Sequence, residues 1–91
     1  MERAQVAERR AGEVRATLVA FLEPHLRTEI TPDLDLFASG GMSSLFALEL
    51  VVHVERSFGV AVEGPDLQLA NFRTVDAMTA LVLRLGEGAG G

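Results

Sequence analysis

The segment from Ser44 to Phe58 places the tightest constraint on how this chain can fold. Its apolar residues recur at helical spacing, and many of them fall within about 100° of arc on a helical wheel, the width of a core-facing stripe. Gly59 follows directly, and glycine commonly ends a helix in the left-handed conformation. The sequence therefore predicts an amphipathic helix over residues 44–58. Its predicted core face consists of Ala47, Leu50, Val51, Val54 and Phe58.

The opposite flank of this helix is apolar as well, because it carries Leu45, Leu48 and Val52. Glu49 lies beside them, and Glu55 is close by. An exposed apolar patch of this kind often marks a site for a partner protein. We therefore expect these five residues to form a docking surface. The alternative is that the preceding loop covers part of the flank, above all Leu45.

A first helix is predicted over residues 6–23. Its apolar side chains recur at the spacing of one helical face. Pro24 is expected to end it, because proline lacks the N–H that would continue the hydrogen-bond ladder. The residues of the predicted face are Val14, Leu18, Phe21 and Leu22.

A last helix is predicted to begin after Thr74, which is a plausible N-cap, with Asp76 favourably placed in the first turn. Gly86 is expected to stop it, and the glycine-rich residues 86–91 are expected to be disordered because they have nothing to bury. The apolar face of this helix comprises Val75, Met78, Leu81, Val82 and Leu85.

The connections complete the prediction of an all-α fold. Residues 24–43 form a long loop, which apolar side chains must pin to the helices. Residues 60–62 are read as an extended link, and residues 64–70 as a brief helical turn. We expect one domain over residues 1–91, ordered at about 6–85, built as a small four-helix bundle of three longer helices and one short one. The side chains of the long loop that we expect to be buried against the helices are Ile30, Leu34, Leu36 and Phe37.

Size and composition exclude several classes of function. A chain of 91 residues buries only about 60% of its unfolded surface, so a deep enclosed active site is not expected. There is no cysteine, and His25 and His53 are the only histidines, so we expect no disulfide and no metal site. The net charge is −5, and the sequence lacks the basic stripe that is typical of a nucleic-acid-binding protein. With no apolar run long enough to span a membrane, we expect a cytoplasmic protein. We also expect a monomer, and the alternative is a dimer formed through the apolar flank of the central helix.

Ser43 and Ser44 lie where the glycine-containing loop meets the central helix. Gly40 and Gly41 let that loop turn tightly, and a phosphate ester on either serine would face free backbone N–H groups and the positive end of the helix dipole. The alternative is that both serines only cap the helix, since serine is a favoured N-cap.

The order of these motifs resembles the acyl and peptidyl carrier proteins from Phe21 to Leu85. The resemblance includes Leu36-Phe37, Gly40-Gly41, Ser44-Leu45, Glu49-Leu50-Val51, Phe58-Gly59-Val60, Asp66-Leu67 and Phe72-Arg73-Thr74-Val75. It implies a small helical bundle in which Ser44 receives 4'-phosphopantetheine, because Ser44 precedes Leu45 and stands five residues before Glu49. Two departures are Ser43, where the family usually has aspartate, and Phe46, where many fatty-acid carriers are polar.

The resemblance implies a passive carrier without catalytic residues of its own. A phosphopantetheinyl transferase, using Mg²⁺ and coenzyme A, would load the arm. Acyl-loading, tailoring and acyl-accepting enzymes would then use the thioester. The chain is most similar to discrete carriers of polyketide pathways, including those that build extender units. A peptidyl (aminoacyl) carrier, a fatty-acid carrier and an unmodified interaction module remain the alternatives.

Overall fold

The computed structural model describes residues 2–38 and 42–90, with side chains for residues 8–38 and 42–86. Three α-helices run in chain order: α1 over Glu2–Leu26, α2 over Ser44–Phe58 and α3 over Val75–Gly90. Two one-turn 3-10 helices, Gly64–Asp66 and Leu69–Phe72, lie between α2 and α3. The described residues contain no strand. The predicted all-α bundle is therefore confirmed, although its short helix is divided into two turns.

Helix α1 is longer than predicted, because it passes through Pro24 and ends at Leu26. The prediction that Pro24 ends the helix was wrong. Proline removes one N–H donor, but its fixed φ is compatible with helical backbone. The helix stops one turn later, where Arg27 has a left-handed φ of 54° and its N–H donates to the carbonyl oxygen of Glu23 at 2.7 Å.

Helix α2 has the predicted bounds, and its core face is correct in part. Leu50 and Val54 are fully buried, whereas Phe58 is only half-buried. Ala47 and Val51 are also half-buried. The predicted stripe is therefore narrower in the folded chain, and Phe58 packs at the edge of the core. Gly59 ends the helix with φ 65°, as predicted.

The long loop is fastened to the core by apolar side chains, as predicted. Ile30 and Leu36 are buried, while Leu34 and Phe37 pack against the core with part of their surface exposed. The loop also bonds to the beginning of α3, because the N–H of Asp76 donates to the carbonyl oxygen of Pro32 at 2.9 Å.

Helix α3 begins as predicted but extends further. Thr74 caps it, with its Oγ1 accepting the N–H of Ala77 at 3.0 Å. The helix then passes Gly86 and continues to Gly90, so the prediction that Gly86 ends the helix was wrong. Glycine costs a helix only about 1 kcal/mol relative to alanine, and Gly86 lies directly against the guanidinium group of Arg10 on α1.

The core lies between the three helices and the second 3-10 helix. No helix in the described part of the chain is long and apolar enough to span a membrane. The fully buried large side chains come from all three helices and from the long loop: Leu18, Leu22, Leu36, Leu50, Val54, Val75, Met78, Leu81 and Val82.

Candidate functional site

The two adjacent serines have different roles at the beginning of α2. Ser43 is the N-cap, with extended backbone at φ −80° and ψ 162°. Its Oγ accepts the N–H of Phe46 at 3.0 Å. Ser44 is the first residue of the helix and is exposed, and its hydroxyl bonds to none of the described residues. The capping alternative therefore applies to Ser43, while the hydroxyl of Ser44 is available for chemistry.

The charge around Ser44 suits a phosphate ester. The first turn of α2 contains no acidic residue, so nothing in that turn opposes the positive end of the helix dipole. The backbone N–H groups of Ser44 and Leu45, at the first two helical positions, have no intrahelical partner and can donate to phosphate oxygens. The N–H of Phe46 is taken by the Ser43 cap. The residues at this helix terminus thus fit a phosphodiester-linked group. Gly40 and Gly41, which were expected to shape the loop before it, lie outside the described residues.

A groove of about 520 Å³ opens beside Ser44 between α2, the long loop and the second 3-10 helix. Ser43, Ser44 and Gln68 are the polar side chains among its described lining residues. Such a groove can accommodate a flexible chain that leaves Ser44 along the protein surface. The apolar lining consists of Phe37, Met42, Ala47, Leu48, Val51, Leu67, Leu69 and Phe72.

The apolar flank of α2 is open to solvent. Leu45, Leu48 and Val52 expose 68%, 62% and 43% of their surface. The alternative that the loop covers Leu45 is therefore wrong for the described residues, because Leu45 is the most exposed of the three. The exposed apolar surface is larger than predicted, because Leu67 and Leu69 expose 54% and 53% of their own surface. Their position beside α2 depends on the tertiary fold, and the sequence around them shows no helical period.

The two glutamates of the predicted docking surface differ. Glu49 is exposed, and its carboxylate has no hydrogen bond or ion pair with the described residues. Glu55 is half-buried, and its Oε2 accepts the backbone N–H of Val62 at 2.9 Å. Glu55 thus stabilises the segment after α2 through its bond to Val62, whereas the carboxylate of Glu49 is available to a partner.

In the described part of the chain the histidines make their polar contacts with residues other than Ser44: His25 Nδ1 with the carbonyl oxygen of Phe21, and His53 with Ser57. Burial lowers the pKa of His53, and the charge of His25 lowers it further. Ser57 Oγ lies 3.4 Å from Nδ1 and 3.2 Å from Nε2 of His53. Nearly equal distances place the hydroxyl over the ring face, out of line with either nitrogen lone pair, so this is not the geometry of a nucleophile and its base.

Metal-ligating side chains are not grouped in the described part of the chain. No cluster there brings together three or more histidine, cysteine, aspartate or glutamate side chains. The site therefore offers an exposed hydroxyl at a helix N-terminus, an apolar groove beside it, and an exposed apolar surface along α2 next to the carboxylate of Glu49.

The family model described as "Phosphopantetheine attachment site" matches residues 13–82, which is most of the chain. The search of curated proteins found no match to this chain. The matched range includes all of α2 and both of its serines. It also includes the long loop, both 3-10 helices and the buried part of α3.

Proposed function

This chain belongs to the phosphopantetheine-attachment family, whose members carry covalently bound 4'-phosphopantetheine, and from that premise we propose that Ser44 holds the arm. The chain would then act as an acyl carrier protein that holds an acyl group as a thioester, in the biosynthesis of polyketides or of their extender units. We propose that it is a cytoplasmic monomer without catalytic activity of its own.

One observation carries the assignment to Ser44. The hydroxyl of Ser43 is occupied as the helix cap, whereas Ser44 is exposed at the first helical position. A modification at Ser43 would remove the cap, but a modification at Ser44 leaves it in place. This difference supports Ser44 independently of its register with Leu45 and Glu49.

The chemistry of loading assigns this chain a limited role. The hydroxyl of Ser44 attacks the phosphorus atom of coenzyme A that bears the pantetheine. The new oxygen–phosphorus bond forms as the P–O bond of the pyrophosphate breaks, and adenosine 3',5'-bisphosphate leaves. The transferase must supply Mg²⁺ and the base that takes the hydroxyl proton. The backbone N–H groups at the start of α2 can donate to the new phosphodiester. Once bound, the arm supplies a thiol for the thioester.

We propose that partner enzymes dock on Leu45, Leu48, Val52 and Glu49. The three apolar side chains are exposed next to Glu49, whose carboxylate pairs with none of the described residues, so a partner with an apolar groove and a neighbouring arginine or lysine would match them. Charge would steer the approach, and apolar burial would hold the complex. Glu55 belongs to this proposed surface as well, although its carboxylate also bonds to Val62.

The choice of cargo and pathway rests on the resemblance to discrete polyketide carriers. A peptidyl carrier would present the same exposed serine and the same groove. An unmodified interaction module would use the docking surface alone. The exposure of Leu45 and Leu48 is compatible with each of these functions, so the discrimination must come from the covalent state of Ser44.

The deciding experiment is an intact-mass measurement of the chain. The purified protein is incubated with coenzyme A, Mg²⁺ and a promiscuous phosphopantetheinyl transferase, and we expect the mass to increase by one phosphopantetheinyl group. An unchanged mass would favour the unmodified module. The mass of the chain isolated from its producing cells would then distinguish an acyl cargo from an aminoacyl one.

A further inference from the structure

The carboxylate of Asp35 fastens the long loop to the beginning of α3. Its Oδ1 accepts the backbone N–H groups of Phe37 at 3.0 Å and of Ala38 at 3.1 Å. Its Oδ2 accepts Nη1 of Arg73 at 3.1 Å. One side chain therefore shapes a turn in the loop and joins that turn to a residue far away in the sequence.

A backbone hydrogen bond reinforces the same connection. The N–H of Leu36 donates to the carbonyl oxygen of Arg73 at 2.8 Å, and the side chain of Leu36 is fully buried. Arg73 directly precedes Thr74, the N-cap of α3, so the backbone of Arg73 leads straight into that helix. Asp35 and Arg73 thus meet across a short, well-defined junction between two elements.

This junction adjoins the groove beside Ser44 on two sides. Phe37, whose N–H is bound by Asp35, lines the groove on the loop side. Phe72, the neighbour of Arg73, lines it on the side of the second 3-10 helix. The ion pair therefore joins the segments that carry two aromatic walls of the groove, and Ser44 lies at the same groove.

We propose that the Asp35–Arg73 pair positions the walls of this groove, and thereby the presentation of Ser44 to the enzyme that modifies it. The proposal rests on the proposed function of Ser44. Asp35 and Arg73 are positioning residues, because they act through Phe37, Phe72 and the loop.

Asp35 is suited to this role because it stays ionised. Desolvation raises the pKa of its carboxyl group, but the hydrogen bonds from Arg73, Phe37 and Ala38, together with the charge of Arg73, lower it by more. The carboxylate therefore keeps its charge, and the ion pair persists, at neutral pH.

The test compares variants of this pair with a matched variant of another ion pair. Asp35→Asn keeps an oxygen that can accept the turn N–H groups but loses the charge, and Arg73→Gln removes the pair from the other side. Arg15→Gln is the control, because Arg15 pairs with Asp76 at 2.9 Å between α1 and α3 and neither residue lines the groove. Arg73→Lys restores the charge without the planar guanidinium group.

Two measurements are made on all of these chains: the kinetics of loading by a promiscuous transferase, and amide hydrogen exchange at Phe37 and Ala38. We expect Asp35→Asn and Arg73→Gln to raise KM for the carrier about fivefold, because the two aromatic walls of the groove, and Ser44 beside them, would no longer be held in one position. The kcat should change little. Arg73→Lys should recover part of the loss, and Arg15→Gln should match the wild type. Hydrogen exchange at Phe37 and Ala38 should be faster in both Asp35→Asn and Arg73→Gln than in the wild type, and unchanged in Arg15→Gln.

Two results would overturn the proposal. One is an unchanged KM in both Asp35→Asn and Arg73→Gln while the wild type is loaded normally. The other is an equal rise of KM in Arg15→Gln, which would indicate a general loss of stability. A wild-type chain that accepts no arm would refute the proposed function, and the positioning role with it.

Discussion

The ring of Phe21 on α1 lies nearly parallel to the imidazole of His53 on α2, with centroids 3.8 Å apart and an angle of 11° between the planes. Phe46 stacks with the same phenyl ring at 5.7 Å, and His25 lies 4.5 Å from it. Phe21 therefore contacts two residues on one side of α2, and this aromatic cluster joins α1 to the helix that carries Ser44. Phe46, the departure from polar family members, has a packing role here.

This cluster predicts that stability decreases under mildly acidic conditions. Burial, followed by the charge of His25, lowers the pKa of His53 in the folded chain. As the pH falls below about 6.5, the unfolded chain therefore binds a proton more readily than the folded chain does, and folding loses free energy until the folded-state pKa is passed. Thermal melts of wild type and His53→Gln between about pH 5 and 8 should show a steeper loss for wild type. Parallel curves would contradict the prediction.

The division of roles between the two serines predicts opposite effects of their substitution. Ser44→Ala should accept no phosphopantetheine and melt close to wild type, because its hydroxyl has no partner among the described residues. Ser43→Ala should still accept the arm but lose about 1 kcal/mol of stability, the usual contribution of an N-cap. Intact mass after identical transferase treatment, together with thermal melts, measures both effects. Normal loading of Ser44→Ala would refute the assignment.

The burial of α2 predicts a rank order for two truncations. Leu50 is fully buried, so Leu50→Ala should cost about 2–5 kcal/mol. At a fully buried aromatic site, as the sequence predicts for Phe58, truncation to alanine would cost about 3–5 kcal/mol. Phe58 is only half-buried, so we expect Phe58→Ala to cost less than Leu50→Ala. Urea denaturation of both variants measures the order, and the reverse order would place Phe58 in the core.

The proposed docking surface predicts a difference in salt dependence between two variants. Glu49→Arg should slow arm and cargo transfer by partner enzymes mainly at low salt, where exposed charges are least screened. Leu48→Asp should slow transfer at all salt concentrations, because it removes apolar contact. Because both substitutions are at exposed positions, each should change the free energy of unfolding by no more than about 0.5 kcal/mol. Transfer rates against salt, with thermal melts, test this. Unchanged rates in both variants would mean that partners dock elsewhere.

Glu55 needs a separate variant, because its carboxylate bonds to the N–H of Val62. Reversing the charges of Glu49 and Glu55 together would mix docking with stability. Glu55→Gln keeps an acceptor oxygen, whereas Glu55→Arg does not. We therefore expect Glu55→Arg to melt below Glu55→Gln, and equal melting temperatures would show that the bond contributes nothing to stability.

The sequence by itself determined those features that depend on neighbouring residues. It predicted both bounds of α2, the left-handed turn at Gly59 and the cap at Thr74, because helix termini are set by side chains within a few positions. It also predicted the burial of Leu50 and Val54, because helical periodicity assigns residues to a face. The attachment of the arm to Ser44 remains a prediction.

Only the tertiary structure decided the features that depend on contacts between distant segments. Helices α1 and α3 continue past Pro24 and Gly86, because local helix propensity is weaker than the packing around it. The different surroundings of Glu49, which is exposed, and Glu55, which accepts the N–H of Val62, follow from where the chain runs after α2. Asp35 and Arg73 are 38 positions apart, and their pairing depends on the packing of the long loop against the beginning of α3.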